Sequence, residues 1–504
     1  MHRTARAAAI AVTLLFLGPA ATLGASPEPN PSSSPAPATS VPAAVTHHVA
    51  RIGSRTFRYT ATAATIVLTN AKDEPTASVF YVAYVADDAG PVERRPMTFA
   101  YNGGPGASSA FIQLGAFAPR MVVTTNAATT PPAPYAIVDN PDSLLDLSDL
   151  VFIDAVGTGF SRTLGHATGK DFYGIDQDGR AFEQFIRRYI SANRRWNSPK
   201  YLAGESYGTL RSAVLAKLLQ DDGISLRGIT LISTVLDYNT ITAQPGNDLP
   251  YWLYLPTEAA VAAYHHKSAT SPSDVMAYLQ TVRAFAQGPF LGGLAKGTEL
   301  AGAERDALAA RLHAFTGLPV DYLVRSRLRV EPERFEKQVL GSTQETVGRY
   351  DGRFRGYDQD PIADSAQTDP TADAITPAFT AAFNAYVREE LGYTSDAHYE
   401  FLSDEANRQW QWYRGDSSTP TATNASNDLR DALTLNPYLR VFSANGIYDL
   451  ATPFFAAEYS LHHLGINAAL QPHITFGYYP AGHMIYLNPV AHAALKADLQ
   501  NFYR

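Results

Sequence analysis

From Arg51 through Val85 apolar and polar positions alternate, with runs such as Thr65-Ile66-Val67-Leu68 and Val79-Phe80-Tyr81-Val82. A period of two puts successive side chains on opposite faces, which predicts antiparallel strands at the start of a sheet. Near Pro96 the pattern changes: short β-rich runs alternate with Gly-rich turns and longer helical stretches, as in a largely parallel sheet covered by helices. The predicted strands are Met97–Tyr101, Leu150–Asp154, Tyr201–Ala203, Gly228–Ser233, Leu439–Ser443 and His473–Tyr479. Between about residues 244 and 436 the apolar period becomes helical, in Thr257–His266, Val275–Ala286, Ala301–Phe315 and Thr376–Leu391. This predicts a mainly helical cap inserted between two parts of one α/β core, residues 47–243 and 437–504. Its polar stretch from Ser342 to Asp373 reads as loop.

The first 46 residues do not belong to that pattern. His2, Arg3 and Arg6 precede an apolar run from Ala7 to Leu17 and small residues ending Leu23-Gly24-Ala25, so residues 1–25 read as an export signal. Residues 26–46 are rich in Pro, Ser and Ala and read as a tether that cannot bury a core. With 45% hydrophobic and 17% charged residues, the 504-residue chain has ordinary globular composition. A net charge of -8, with Lys and Arg scattered, leaves no basic surface for nucleic acid or an anionic membrane. No cysteine is present, which excludes disulfides and a thiolate nucleophile.

Two segments carry candidate chemistry. Gly204-Glu205-Ser206-Tyr207-Gly208 follows the short strand at Tyr201–Ala203 and opens a helix with apolar residues at Leu210, Val214, Leu215, Leu218 and Leu219. Gly-x-Ser-x-Gly between strand and helix is the nucleophile elbow of the α/β-hydrolase fold, with Ser206 as nucleophile. Asn102-Gly103-Gly104-Pro105-Gly106 directly follows the strand Met97–Tyr101, where a Gly-rich turn exposes backbone N–H groups suited to an oxyanion. A phosphate cradle is the other reading of such a turn, but no Gly-Lys-Ser or Gly-Lys-Thr follows. Among thirteen histidines, His483 in Ala481-Gly482-His483-Met484 is the expected base, since it follows the last strand in the order Ser, Asp, His. Asp449, just past the strand Leu439–Ser443, is the expected orienting acid; Asp237, past Gly228–Ser233, is its rival. No His-Glu-x-x-His or similar spacing occurs, so neither a metal nor a cofactor is expected.

Together these segments resemble the serine carboxypeptidases, which carry Asn-Gly-Gly-Pro-Gly-x-Ser-Ser, then Gly-Glu-Ser-Tyr, an Asp, and Gly-His-Met. Ala107-Ser108-Ser109 completes the first block, and Phe152-Ile153-Asp154-Ala155-Val156-Gly157-Thr158-Gly159-Phe160-Ser161 is similar to a block between them. The likeness is strongest to bacterial members. It implies a peptide substrate with a free carboxyl terminus, bound by Asn102, Gly103 and Glu205, and an oxyanion held by the backbones of Gly104 and Tyr207. Where better-known members place a second glutamate, this chain has Gln113, which is expected to join the carboxylate site. A protonated Glu205 is the sensible acceptor of a carboxylate, so activity is expected to favour acidic pH, more mildly than with two paired carboxyls. An esterase or acyltransferase of the same fold, and a non-catalytic binding protein, are the competing readings.

Overall fold

The computed structural model describes residues 41–87, 89–415 and 423–504. The expected export signal and residues 26–40 of the expected tether lie outside them. Residues Val41–Arg504 form one compact unit. Among the described residues no helix is long and apolar enough to cross a membrane.

A ten-stranded sheet organises this unit. Its strands in chain order are β1 (Ala44–Ile52), β2 (Arg55–Thr69), β3 (Pro75–Ala86), β4 (Met97–Tyr101), β5 (Asp149–Ile153), β6 (Arg162–Thr163), β7 (Lys200–Glu205), β8 (Gly228–Ile232), β9 (Arg440–Gly446) and β10 (Ile474–Tyr479). The spatial order is β1-β2-β3-β5-β4-β7-β8-β9-β10, with β6 paired to one end of β3. β1, β2 and β3 pair antiparallel, as their alternating sequence predicts, β3 also pairs antiparallel with β5, and β5 through β10 along this path pair parallel. β4, β5 and β8 are buried at every position, which accounts for their unbroken apolar runs. The first strand starts at Ala44, inside the stretch read as tether, and His473 closes a short 3₁₀ turn just before β10 rather than lying in the strand.

Helices cover both faces. α1 (Ile175–Ala192) turns Phe182, Phe185, Ile186, Tyr189 and Ile190 onto the sheet. α2 (Tyr207–Asp221) is buried on most sides, because the sheet, α1 and the helix Ser426–Leu435 all pack around it. The stretch 244–436 does not form a single layer. Its helices between Leu249 and Gln338 share a cluster with Tyr448, Phe454 and Phe455 of the core. The helix Pro370–Ala385 instead joins the opposite face of the sheet, where Phe379 meets Phe111 with ring centroids 5.0 Å apart. The polar stretch 342–373 holds a two-stranded hairpin, Glu345–Val347 against Arg355–Tyr357.

Candidate active site

Ser206, Asn102, Asp449 and His483 each follow the carboxyl end of a parallel strand, so the sheet itself brings these loops to one edge. The elbow at Ser206 has an identifiable steric cause. Ser206 takes φ +61° and ψ −129°, a backbone state that L-residues hold only under surrounding constraint. A β-carbon on Gly204 would lie 2.1 Å from the Gly208 carbonyl oxygen, so strand and helix can meet this tightly only with glycine there. The Ser206 N–H donates to Ile232 O at 2.9 Å, which extends the β7–β8 ladder through the turn.

The Gly-rich loop after β4 packs directly on that elbow. A β-carbon on Gly103 would sit 2.5 Å from Tyr207 N and 2.6 Å from Gly208 N, so the loop backbone lies against the amino end of α2. Gly104 adopts φ +97°. The first N–H groups of a helix lack intrahelical acceptors, which gives this junction a cluster of donors at the positive end of α2. Ser403 N donates to Gly106 O at 2.7 Å and Ser108 N to Phe401 O at 3.0 Å, so the 401–403 segment braces the loop from outside. Arg211 fixes its inner side: the guanidinium donates to Asn102 O at 2.6 Å and pairs with Asp178 of α1 at 2.6 Å.

Asn102 and Glu205 meet in the interior. Asn102 Nδ2 donates to Glu205 Oε1 at 2.6 Å, and Ile112 N donates to Asn102 Oδ1 at 2.8 Å, which fixes the amide orientation. Tyr486 Oη donates to the same Glu205 oxygen at 3.4 Å, while Glu205 Oε2 is buried with no hydrogen-bond partner among the described residues. Burial pushes this carboxyl up to about 7, against a smaller downward pull from His483. Tyr486 was not anticipated from the sequence; it lies three residues past His483, and its ring fills the space that a β-carbon on Gly115 would need.

Gln113 is not drawn into this cluster. Its amide nitrogen donates to Tyr84 Oη at 2.8 Å, and Tyr84 Oη lies 3.0 Å from Tyr386 Oη, so the side chain belongs to the core beneath the loop. Position in the motif was no guide to which way the amide turned.

His483 Nδ1 lies 2.9 Å from Asp449 Oδ2, and both side chains are buried. Asp449 is held by Ala451 N and Thr452 N, each donating to Oδ1 at 2.9 Å, and by Thr452 Oγ1 donating to Oδ2 at 2.8 Å. Burial alone would lower the proton affinity of His483, but the adjacent Asp449 charge and hydrogen bond outweigh it and raise its pKa. The histidine backbone is clamped from two sides. Its N–H donates to Tyr350 O at 2.6 Å and its carbonyl accepts from Ser233 Oγ at 2.6 Å. Ser233 follows β8 and lies beside Ser206 in register, which ties the histidine loop to the elbow. Tyr350 comes from the stretch read as loop, and its ring centroid is 5.2 Å from that of His483. The rival acid Asp237 instead accepts from Asn239 N at 2.9 Å and Asn239 Nδ2 at 3.0 Å, organising its own turn.

The family of serine carboxypeptidases matches residues 66–285. No curated protein matches the chain. Among solved structures it is similar to the prohormone-processing carboxypeptidase Kex1 of Saccharomyces cerevisiae, with TM-score 0.56 and 16% identity over 88% of this chain and 92% of that one. Proline iminopeptidase of Mycobacterium smegmatis aligns with TM-score 0.36 and 14% identity over 88% of this chain and 98% of that one. The fold is that of an α/β-hydrolase.

Proposed function

The matched segment, residues 66–285, belongs to the serine carboxypeptidase family, and from that premise we propose that the protein removes single residues from the carboxyl terminus of peptides through an acyl-enzyme on Ser206. The observation that carries this reading is the buried Glu205 carboxyl directly before Ser206, with one oxygen bound by Asn102 and the other without a partner among the described residues. Below about pH 7 that oxygen carries a proton and donates it to the terminal carboxylate of the substrate, beside the Asn102 amide and the Gly103 backbone.

In the reaction His483 Nδ1–H donates a hydrogen bond to Asp449 Oδ2 and keeps its proton, which fixes the tautomer whose Nε2 lone pair takes the Ser206 hydroxyl proton. Oγ attacks the scissile carbonyl carbon and the carbonyl oxygen becomes an oxyanion, met by the Gly104 and Tyr207 N–H groups. Collapse of the intermediate breaks the C–N bond as His483 passes its proton to the departing amine. Water then repeats the sequence on the ester, returning Ser206 Oγ–H and releasing the shortened peptide acid. Residues 1–25 support export of the enzyme. Mass spectrometry of a peptide incubated with the full chain should show loss of one residue at a time from the carboxyl end, abolished in Ser206→Ala. Internal fragments, or trimming unaffected by Ser206→Ala, would refute the proposal.

A further inference from the structure

Thr452 touches both members of the proposed acid and base pair. Its Oγ1 lies 2.8 Å from Asp449 Oδ2, 3.2 Å from His483 Nδ1 and 3.0 Å from Ser233 O, and its backbone N–H donates to Asp449 Oδ1 at 2.9 Å. The side chain is buried, so these protein atoms rather than bulk water are its partners.

Ser233 completes the arrangement from the neighbouring strand end. It holds φ +54°, a left-handed state that costs a serine energy and that surrounding contacts must maintain. In this state its N–H donates to Ala444 O at 2.8 Å, its Oγ donates to His483 O at 2.6 Å, and its carbonyl faces Thr452 Oγ1. A closed ring of contacts thus runs from the His483 carbonyl through Ser233 and Thr452 back to His483 Nδ1. Two hydroxyls hold the backbone and the imidazole of the same residue.

A hydroxyl carries one proton and two lone pairs. Two acceptors lie within reach of the Thr452 proton, Asp449 Oδ2 and Ser233 O, and the charged one holds it more strongly. The lone pairs are then left to face His483 Nδ1–H, which forks between Asp449 Oδ2 at 2.9 Å and Thr452 Oγ1 at 3.2 Å. Asp449 Oδ1 already accepts from Ala451 N and Thr452 N, and Oδ2 from His483, so the Thr452 hydroxyl is the fourth donor to one carboxylate. Donors to the ionised form oppose its protonation, so the Nδ1 proton stays on the ring when Nε2 receives the Ser206 proton. We propose that Thr452 is a positioning residue whose hydroxyl fixes the rotation of the His483 ring against Asp449 and keeps that acid ionised during acyl transfer. This inference rests on the Ser206, His483 and Asp449 roles assigned in the carboxypeptidase reading.

The test compares the full chain with Thr452→Val, which removes the hydroxyl at nearly constant shape, and with Thr452→Ser, which keeps it. On a blocked dipeptide with a free carboxyl end, Thr452→Val should lower kcat about tenfold with KM held within about twofold, as expected for one hydrogen bond to a charged group. Thr452→Ser should restore most of that loss. A fluorophosphonate that reacts with Ser206 gives a second readout that needs no recognition of a carboxylate. The fraction labelled at completion counts folded sites, while the rate constant reports activation of the nucleophile. In Thr452→Val the rate constant should fall by the same factor as kcat at an unchanged labelled fraction. In an Asp449→Asn background the same substitution should cost less than about twofold, because the hydroxyl acts through the carboxylate. Equal labelling rates in the native and Thr452→Val proteins, a loss that Thr452→Ser does not restore, or a loss confined to KM would overturn the inference. So would a further loss of about tenfold in the Asp449→Asn background. Labelling slowed in Thr452→Val, with no dipeptide trimmed by the native protein, removes the carboxypeptidase reading and supports the positioning role; a native protein that is not labelled removes both.

Discussion

Glu205→Gln turns the buried carboxyl beside Asn102 into a group that stays neutral at every pH. In the native protein burial pushes this carboxyl from 4.5 up to about 7, so it is the neutral form that meets the substrate carboxylate on the acid side of that value. Two pH units above it, near pH 9, the neutral fraction falls to roughly one in a hundred, and kcat/KM for a free-carboxyl peptide should fall by about the same factor. Glutamine keeps a donor where the Glu205 proton stood and does not ionise. The variant should therefore lose this alkaline limb and overtake the native enzyme near pH 9. The acid limb belongs to His483, which must be neutral to act as base. Because the Glu205 anion raises the His483 pKa, removing it moves that limb only toward lower pH. The assay is kcat/KM from about pH 5 to 9 for a blocked dipeptide and for its methyl ester. An alkaline limb that persists in the variant, or one equally deep for the ester in the native enzyme, would refute the role given to Glu205.

Asp449→Asn should lower kcat about 10⁴-fold with little change in KM, since the amide favours the wrong His483 tautomer; single-turnover kinetics check it. Asp178→Asn leaves the fully buried Arg211 cation without its partner and should cost about 3–5 kcal/mol in urea unfolding. It should also raise KM, because Arg211 holds the Asn102 carbonyl. Glu258 is raised by burial from 4.5 to about 8, so the unfolded chain gives up this proton first and native stability falls as pH rises between those values. Glu258→Gln should remove that fall, gaining up to roughly 5 kcal/mol over the native protein at the alkaline end, a ceiling set by the size of the shift. Urea midpoints at both ends of the interval measure it, and equal pH dependence in the two proteins would contradict it.

The parts legible in the sequence are those whose cause is local. Gly204 and Gly103 stand where a β-carbon would strike the backbone of the elbow, and a glycine required by such a contact leaves its mark in a short motif. The parallel strands were legible for the same reason, since burial on both faces demands unbroken apolar runs. The stretch 244–436 was harder to place, because a helical apolar stripe says that a helix is covered but not by what. Phe379 could face any apolar surface and in fact meets Phe111 beneath the Gly-rich loop. Tyr350 was read as part of a polar loop, and nothing near it in the chain announces that its carbonyl receives the His483 N–H. Gln113 shows the limit of motif position, for its neighbours do not say that Tyr84 waits on β3 to accept its amide.

The central claim is that this site reads a free carboxyl terminus, and the most direct measurement is kcat/KM for one blocked dipeptide and its carboxyl-terminal amide near pH 6. With Asn102 and a neutral Glu205 bound to the terminal carboxylate, the free acid should be favoured roughly 100-fold, as expected for two charged hydrogen bonds. Equal rates for acid and amide would leave a serine hydrolase in place and remove the carboxypeptidase from the account.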